Sequence, residues 1–584
     1  MRKTKIVCTL GPATDNPEVL RQMFLNGMNV ARLNFSHGNH AEHLKRVEAF
    51  KAIRSELGIP SAILLDTKGP EIRLKEFEKG SVELKKDNIF ILTTEDIMGT
   101  EERVSITYKG LPHDLKKGNT ILMADGLIGL SVIDIKEKDI ICRVMNSGPI
   151  SNRKSINIPD VKISLPYLSD EDRENILFAI KHDFDFIAAS FVRSADCVKQ
   201  IRRILEENHD NSVKIISKIE NREGVDNIDE IIRVSDGIMI ARGDMGVEIP
   251  FEELPALQKM IIVKSFQAGK MVITATQMLE SMINNPRPTR AEITDVANAI
   301  YDGTSAIMLS GETSVGKYPV ETLATMSKIA TETENNIDYA THFQHLTKEL
   351  RNVTDAISHA TIYIAKTLDA KAIITVTKSG NTARMTSKYR PGCDIIATTT
   401  SPKVLNQLAL SWGIIPVLTE TKNTTDEIFN QAIRSSEEKG LIKSGDIVVI
   451  TGGMPIDVSG TTNTVKVHVV GNVLIKGKGI NNYSATGIIH IIDDDIHSIE
   501  SFDQGSVLVI KKTTDKIIPL LKYASAIITE EYADDSKAAL VGLALEIPVI
   551  TEAIDAAKLL KSGTAVTVDA QKGQVTTGVS GVSS

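Results

Sequence analysis

A chain of 584 residues can hold about four domains of ordinary size. Its net charge of −8 and single tryptophan exclude the basic, aromatic surface typical of proteins that bind nucleic acid or anionic membranes. No apolar run reaches the roughly 20 residues of a membrane helix, no signal-peptide pattern is present, and the four cysteines lack the spacing of a zinc site or a disulfide framework. These features predict a soluble, cytoplasmic protein.

Residues 1–70 and 167–340 alternate short apolar strand patterns with helical patterns. We predict eight strands, at 5–9, 30–34, 62–66, 186–190, 213–216, 237–241, 271–274 and 306–309. Eight strands separated by helices favour an α/β fold of the (β/α)₈ (TIM) barrel type, interrupted after its third strand. Polar residues follow nearly every strand, which is where such a barrel carries its functional groups.

The interruption, residues 71–166, has a different pattern. Six short strands are predicted without an intervening helix, at 82–84, 89–93, 104–107, 120–123, 127–135 and 140–144. This pattern is typical of a small β-barrel or sandwich. Because it is inserted beside the strand ends, we expect it to act as a lid that excludes water from them.

The densest group of charged residues follows the fifth and sixth barrel strands. Lys218 and Glu220 end one strand and Asp244 follows the next, so the parallel arrangement brings all three to one end of the barrel. Two carboxylates together suit Mg²⁺ or Mn²⁺, with the lysine as a fixed charge beside the metal. A simple ion pair among the three residues is the competing interpretation. The flanking Gly243 and Gly246 favour a site, because they expose N–H groups that can hold an anion.

Arginines and small oxygen-bearing residues follow the second and third strands. Arg32 and Arg73 are suited to clamp a phosphate. Four residues nearby could bind a second cation: Asn34, Ser36, Asp66 and Thr67. Each residue alone is explained as well by a helix cap or a surface ion pair. Lys154, at the exit of the inserted domain, could reach the same place or could lie on a solvated basic face.

Two further α/β domains are predicted towards the C-terminus. Residues 345–473 contain strands at 372–376, 394–397, 413–417, 446–451 and 465–470, and residues 474–584 form an additional unit. The turn after the first of these strands opens a helix and contains Thr377, Lys378, Ser379, Gly380, Asn381 and Thr382. These residues suit a phosphate-sized anion site at a helix start. An ordinary Ser/Thr helix cap is an equally good explanation.

Six segments, each at a predicted strand end, together resemble the pyruvate kinase family. They are ARLNFSH (31–37), LDTKGPEIR (65–73), ISKIEN (216–221), ARGDMG (241–246), ATQMLESM (275–282) and MLSGET (308–313). The resemblance covers about residues 1–473. It implies transfer of a phosphoryl group from phosphoenolpyruvate to ADP, which gives pyruvate and ATP, in a homotetramer activated by a sugar phosphate or AMP.

The resemblance also implies residue roles. Glu220 and Asp244 would bind Mg²⁺ or Mn²⁺, and Glu71 is associated with dependence on K⁺. Residues implied in catalysis are Lys218, Arg32, Arg73 and Thr276. Substrate contacts are implied for Arg32, Gly243, Asp244 and Thr276, nucleotide contacts for Asn34, His37, Arg73 and Lys154, and K⁺ ligation for Asn34, Ser36, Asp66 and Thr67. The effector would bind at residues 377–382.

The last unit resembles the swivelling phosphohistidine domains of pyruvate phosphate dikinase and phosphoenolpyruvate synthase, through residues 536–541 and 567–570. Lys537 stands where those domains carry the phosphorylated histidine, so we expect a structural or regulatory role. Two other functions are left as alternatives. A carrier-type phosphotransferase is disfavoured by Lys537, and a non-catalytic sugar-phosphate sensor is disfavoured by the intact Lys218, Glu220 and Asp244.

Overall fold

A computed structural model describes residues 2–339, 341–343, 352–443, 446–454, 462–471, 473–492, 502–532 and 536–577. The predicted domain boundary at residue 345 lies outside the described residues. The chain forms two compact units, one of residues 1–350, 379–392 and 401–416, the other of residues 351–378, 393–400 and 417–584. The domain limits given by the sequence stay predictions. No helix among the described residues combines the length and the apolar character that a membrane crossing requires.

The elements before and within the inserted domain follow in chain order. The first are β1 (Lys5–Thr9), α1 (Pro17–Leu25), β2 (Val30–Asn34), α2 (His40–Leu57) and β3 (Ala62–Asp66). The inserted domain contains β4 (Ile72–Arg73), β5 (Ser81–Leu84), β6 (Ile89–Thr93), β7 (Arg103–Ser105), α3 (Leu111–Asp114), β8 (Thr120–Met123), β9 (Ile128–Lys136), β10 (Asp139–Val144), β11 (Gly148–Ser151) and β12 (Ser155–Asn157).

The chain then alternates strands and helices. The elements are α4 (Asp170–Lys181), β13 (Phe186–Ala189), α5 (Ala195–Glu207), β14 (Lys214–Ile219), α6 (Arg222–Asp226), α7 (Ile228–Val234), β15 (Gly237–Ala241), α8 (Arg242–Glu248), α9 (Leu254–Gln267), β16 (Met271–Ala275), α10 (Arg290–Tyr301), β17 (Ala306–Leu309), α11 (Gly311–Ser314) and α12 (Pro319–Asn335). Single 3₁₀ turns lie at Pro12–Thr14, Phe251–Glu253 and Glu280–Ile283.

Eight parallel strands close into a barrel in the order β1-β17-β16-β15-β14-β13-β3-β2, which confirms the predicted (β/α)₈ fold. Side chains such as Val7, Leu64, Ile216, Met239 and Met308 fill its interior. The strands are buried on both faces, and this explains why they read as continuous apolar runs in the sequence. The carboxyl ends of the strands share one rim, so the polar residues that follow them meet there.

The inserted domain is built on a seven-stranded sheet in the order β4-β12-β8-β9-β10-β6-β7. The two edge strands, β4 and β7, are also joined. Leu74, after β4, bridges to Ile106, after β7, and the Lys75 N–H donates to the Ser105 carbonyl at 2.8 Å, so the sheet curves back on itself as a small barrel. The expectation of six strands and no helix is wrong. The helix α3 interrupts the strands, and β4, β11 and β12 are additional. These elements are two to four residues long, too short to give a periodic signal.

The remaining elements confirm two further α/β sheets. The first group comprises α13 (Val353–Thr367), β18 (Ala372–Val376), α14 (Asn381–Lys388), β19 (Asp394–Thr399), α15 (Pro402–Leu408), β20 (Ile414–Leu418), α16 (Thr425–Glu438), β21 (Ile447–Gly452) and β22 (Thr464–Val469). Its sheet has the order β20-β19-β18-β21-β22, with β22 antiparallel.

The second group comprises β23 (Val473–Lys476), β24 (Lys478–Gly479), β25 (Ser484–Ile492), β26 (Val507–Ile510), α17 (Ile518–Leu521), β27 (Ala526–Thr529), α18 (Lys537–Leu545), β28 (Val549–Thr551), α19 (Ala556–Leu559), β29 (Ala565–Asp569) and β30 (Gln574–Thr577). These strands form one mixed sheet in the order β23-β30-β29-β25-β26-β27-β28-β24.

A buried carboxyl group at the amino end of β13 makes the stability of the barrel depend on pH. Asp185 accepts the Ile63 N–H at 2.8 Å and lies 3.7 Å from the Lys403 ammonium, while burial raises the pKa of Asp185 to about 6. The folded chain therefore holds this proton more tightly than the unfolded chain, whose carboxyl has an ordinary pKa near 3.8. As the pH rises from about 4 to about 6, stability is lost.

The side chain of Asp185→Asn stays neutral at every pH. We therefore expect the free energy of unfolding of this variant, taken relative to that of the parent, to be about 1 kcal/mol higher at pH 7.5 than at pH 5. Thermal unfolding of both proteins at the two pH values measures this difference. Asp183→Asn is the control, since its exposed carboxylate contacts the same Lys403. An equal shift in melting temperature for Asp185→Asn at both pH values would contradict the prediction.

Candidate active site

An ammonium group lies buried among oxygen atoms at the carboxyl end of the barrel. Lys218, on β14, donates from Nζ to Asp66 Oδ1 at 3.0 Å and to Ser190 Oγ at 2.8 Å, and lies 3.0 Å from Glu220 Oε1. Burial alone would lower the pKa of Lys218, but the carboxylates of Asp66 and Glu220 raise it above its ordinary value. The side chain is therefore a fixed positive charge.

Asp66 joins this ammonium to a second cation. Its Oδ2 accepts Arg32 Nε at 2.6 Å, and the same guanidinium donates from Nη1 to Thr9 Oγ at 2.9 Å. Burial raises the pKa of Asp66, but Arg32 and Lys218 more than offset this effect and lower it. The carboxylate stays charged, with Arg32 on one oxygen and Lys218 on the other.

The predicted K⁺ ligands lie at the ends of two adjacent strands. Asn34 on β2 pairs in register with Asp66 on β3, and Asn34 Oδ1 accepts the Ser36 N–H at 3.1 Å. Thr67 Oγ accepts the Ser190 N–H at 3.0 Å, and its carbonyl accepts Ser190 Oγ at 2.6 Å. The structure thus brings the oxygen-bearing residues of these two strands to one rim.

Glu220 has the environment expected of a metal ligand. The carboxylate is completely buried; Oε2 accepts the Phe191 N–H, whereas Oε1 has no hydrogen-bond donor in spite of the nearby ammonium. Burial raises the pKa of Glu220 and the charge of Asp244 adds to this rise, whereas the Lys218 ammonium lowers it. A divalent ion shared by Glu220 and Asp244 would relieve the repulsion between the two carboxylates. The residues therefore fit a divalent ion.

Proteins commonly bind Mg²⁺ through one or two carboxylates, while substrate and water supply the remaining ligands. No cluster of three potential His, Cys, Asp or Glu ligands occurs in the described part of the chain. Asp244, the second candidate ligand, is exposed in the first turn of α8 and lines the cleft beside the barrel rim.

The turn after β16 carries Thr276 against the start of α8. Thr276 Oγ accepts the Gly243 N–H at 2.7 Å and donates to the Ala275 carbonyl at 2.6 Å. A Cβ atom on residue 243 would lie 3.4 Å from this hydroxyl, an ordinary contact distance, so the hydrogen bond does not by itself require glycine. The Thr276 hydroxyl thus meets the Gly243 N–H at the start of α8.

A cleft of about 800 Å³ lies between the inserted domain and the barrel rim. Five of the predicted residues line it: His37, Glu71, Arg73, Lys154 and Asp244. The buried groups around Lys218 do not line it. Arg73 donates from Nε to Glu71 Oε2 at 2.7 Å and from Nη1 to the Arg153 carbonyl at 2.9 Å. The cleft is open enough for a nucleotide-sized ligand.

Sequence reasoning missed Ser190 and Phe191. Ser190 contacts Lys218, Asp66 and Thr67, and Phe191 has a left-handed backbone with φ of +52° that turns its N–H towards Glu220. The available signal was position, because Ser190 is a hydroxyl at the carboxyl end of the fourth barrel strand, where the other site residues of the barrel also lie.

The predicted effector turn begins the helix α14. Gly380 is its N-cap residue with φ of +81°, and it offers no side chain to cap the helix. The N-cap position itself is therefore occupied by a glycine rather than by a serine or threonine. Arg384 donates from Nη2 to the Ser379 carbonyl at 3.0 Å. The anion-binding role of residues 377–382 stays a prediction.

Comparisons with known proteins place this geometry in a family. The model of the pyruvate kinase barrel domain matches residues 1–323, that of the pyruvate kinase alpha/beta domain residues 355–468, and that of the mobile domain of PEP-utilising enzymes residues 502–573. The pyruvate kinase of Bacillus licheniformis is 48% identical over 578 residues, which are 98% of this chain and 99% of the relative.

Other relatives agree. The pyruvate kinase of Geobacillus stearothermophilus is 48% identical and covers 98% of each chain, and that of Staphylococcus aureus is 44% identical and covers 100% of each. A crystal structure of a pyruvate kinase from Cryptosporidium parvum matches with a TM-score of 0.76 and 42% identity, over 80% of this chain and 96% of that chain.

Phosphoryl transfer depends on fixed cations around a metal position rather than on covalent chemistry by the protein, and the charged rim of this barrel fits the class of phosphotransferases. Relatives of 44–48% identity over nearly the full length narrow that class to one family. The chain belongs to the pyruvate kinase family. The resemblance inferred from the six motifs is thereby confirmed, as is the expectation of a phosphotransferase.

Proposed function

We propose that the residues around Lys218 carry, in this chain, the transfer of the phosphoryl group of phosphoenolpyruvate to ADP. The observation that carries this proposal is the buried ammonium of Lys218, fixed between Asp66 and Glu220 next to a nucleotide-sized cleft. Such a preorganised charge stabilises the negative oxygens of a phosphoryl group in transfer without any reorganisation at the moment of reaction.

Glu220 and Asp244 would hold Mg²⁺ or Mn²⁺. Burial and the charge of Asp244 both raise the pKa of Glu220, and this supports the assignment because a shared divalent ion would offset both effects. When bound, the ion supplies positive charge to the carboxylate and the enol oxygen of the substrate. Gly243 and Asp244 offer N–H groups to the substrate carboxylate at the start of α8, and Thr276 closes the opposite side.

Arg32 and Arg73 bind the phosphate from two directions. Arg32 is oriented by Asp66 and Thr9 in the barrel rim, and Arg73 belongs to the inserted domain, so that closure of the lid would bring it to the phosphate and exclude water. The nucleotide contacts His37, Arg73, Lys154 and Asn34. Protonation of the enol after transfer would come from a water near Thr276 and Ser310, whose Oγ is buried without a hydrogen-bond partner.

K⁺ bound by Asn34, Ser36, Asp66 and Thr67 completes the proposed site. A sugar phosphate or AMP is the proposed effector at residues 377–382, and a homotetramer in the cytoplasm is the proposed working state. In the additional C-terminal unit, Lys537 begins α18 and its Nζ lies 3.2 Å from Asp515. A lysine at this place supports a structural or regulatory role rather than that of a phosphoryl carrier.

Three charged residues, Lys218, Glu220 and Asp244, should be essential for turnover. Lys218→Met, Glu220→Gln and Asp244→Asn should each lower kcat by a factor of about 100 or more, because each removes charge that stabilises the transition state. A lactate-dehydrogenase-coupled assay with phosphoenolpyruvate, ADP, Mg²⁺ and K⁺ measures this. Lys214→Met is the matched control, since Lys214 lies at the other end of the same strand, where it pairs with Asp236. Parental turnover by the three folded variants would sink the proposal.

Turnover should also depend on the monovalent cation. Because Glu71 is the residue type associated with K⁺ dependence, turnover should rise several-fold when K⁺ replaces Na⁺ or tetramethylammonium at constant ionic strength. The same coupled assay, with a coupling enzyme verified in each salt, measures this rise. Equal rates in all three salts would refute the proposed K⁺ site.

The turn at residues 377–382 should respond to a phosphorylated effector. Fructose 1,6-bisphosphate, ribose 5-phosphate or AMP should raise the apparent affinity for subsaturating phosphoenolpyruvate, and Thr382→Ala should weaken this response. Ser401→Ala is the matched control, because Ser401 caps the neighbouring helix α15 of the same domain. If none of the three compounds changes the apparent affinity, residues 377–382 are no effector site.

A further inference from the structure

Arg242 is the first residue of α8, and its guanidinium turns back towards the end of β16. It donates from Nη2 to the Thr276 carbonyl and to Met278 Sδ, both at 2.8 Å, and from Nε to the Ala275 carbonyl at 3.3 Å. The side chain is only 14% exposed. One guanidinium thus contacts three residues of the turn that carries Thr276, namely Ala275, Thr276 and Met278.

This turn has an unfavourable backbone. Thr276 and Gln277 have φ of +67° and +54°, in the left-handed region that residues with a side chain rarely occupy and that is worst for a β-branched residue such as threonine. Such a conformation persists only where the surroundings over-determine it. The contacts of Arg242 with the Ala275 and Thr276 carbonyls contribute to these surroundings, together with the hydrogen bond from the Gly243 N–H to Thr276 Oγ.

Two helices fix the guanidinium itself. Asp295, on α10, accepts Nη1 at 2.7 Å, and Gln258, on α9, lies 3.4 Å from the same nitrogen. The charge pair directs Nη2 and Nε at the turn, since the planar guanidinium has a fixed fork geometry. Asp295 therefore acts on Thr276 only through Arg242.

We propose that Arg242, oriented by Asp295, is a positioning residue for the phosphoryl-transfer site: it holds the strained turn so that the Thr276 hydroxyl meets the Gly243 N–H of α8. The proposal deepens the function proposed above and rests on the role given there to Thr276. Arg242 is followed directly by Gly243 and Asp244 at the start of α8. Its side chain therefore fixes this helix start and the Thr276 turn, the two proposed sides of the substrate carboxylate position, relative to each other.

The test compares Arg242→Lys and Asp295→Asn with the parent. Lysine keeps the charge but cannot reach the Thr276 carbonyl, Met278 and Asp295 together. We expect kcat to fall by a factor of about 10 to 100 in Arg242→Lys, since displacements of an ångström at a reacting centre cost this much, with KM for phosphoenolpyruvate changed by less than about threefold. Asp295→Asn, whose amide oxygen can still accept Nη1, should lose several-fold. Thermal unfolding of each variant checks that it is folded at the assay temperature, and kcat is calculated per folded protein.

Arg202→Lys is the matched control. Arg202 forms a half-buried pair with Asp236 at 2.8 Å, at the amino end of β15 and away from the rim, so its replacement should leave kcat unchanged. In a Thr276→Ala background, Arg242→Lys should add less than about threefold, because both changes act at the same hydroxyl.

A parental kcat in folded Arg242→Lys would overturn the proposal. So would a full loss of kcat that persists in the Thr276→Ala background, because Arg242 would then act on something other than Thr276. The turnover of the parent, measured first with Mg²⁺, K⁺ and ADP, reports separately on the proposed function, and only the ratio of variant to parent reports on Arg242.

Discussion

Burying the Lys218 ammonium requires carboxylates around it, because an uncompensated charge in a protein interior costs several kcal/mol. Asp66 and Glu220 meet this requirement and are buried with it. Asp66 in turn holds Arg32, so one buried carboxylate joins two fixed cations. Glu220 pairs with Lys218 through Oε1 and accepts the Phe191 N–H through Oε2. The barrel rim therefore carries two fixed positive charges whose burial is compensated.

The barrel makes this arrangement possible. Strands β3, β13 and β14 are neighbours, so Asp66, Ser190 and Lys218 come together although they are far apart in the chain. The inserted domain begins a few residues after Asp66, and it adds Arg73 and Lys154 to the cleft without disturbing the buried charges. A rigid rim and a separate domain over it are a general solution for a reaction that must exclude water.

Sequence reasoning located the strands of the barrel to within a few residues, because strands buried on both faces give uninterrupted apolar runs. It failed where the local signal is weak. The helix α3 is a single turn, and Gly380 rather than a serine or threonine caps α14. Ser190 was overlooked because one hydroxyl after a strand has no distinctive spacing, and Phe191 because nothing in its type predicts a left-handed backbone.

The sequence by itself determined the alternation of strands and helices, the strand ends that carry reactive residues, and the six motifs of the pyruvate kinase family, since these depend on neighbours in the chain. Only the tertiary structure decided which charges are paired. It assigned one oxygen of Asp66 to Arg32 and the other to Lys218, placed Oε1 of Glu220 beside the same ammonium, and directed Arg242 at the turn of Thr276. Closure of the barrel fixes these distances, and residues separated by up to about 150 positions carry no local pattern that encodes them.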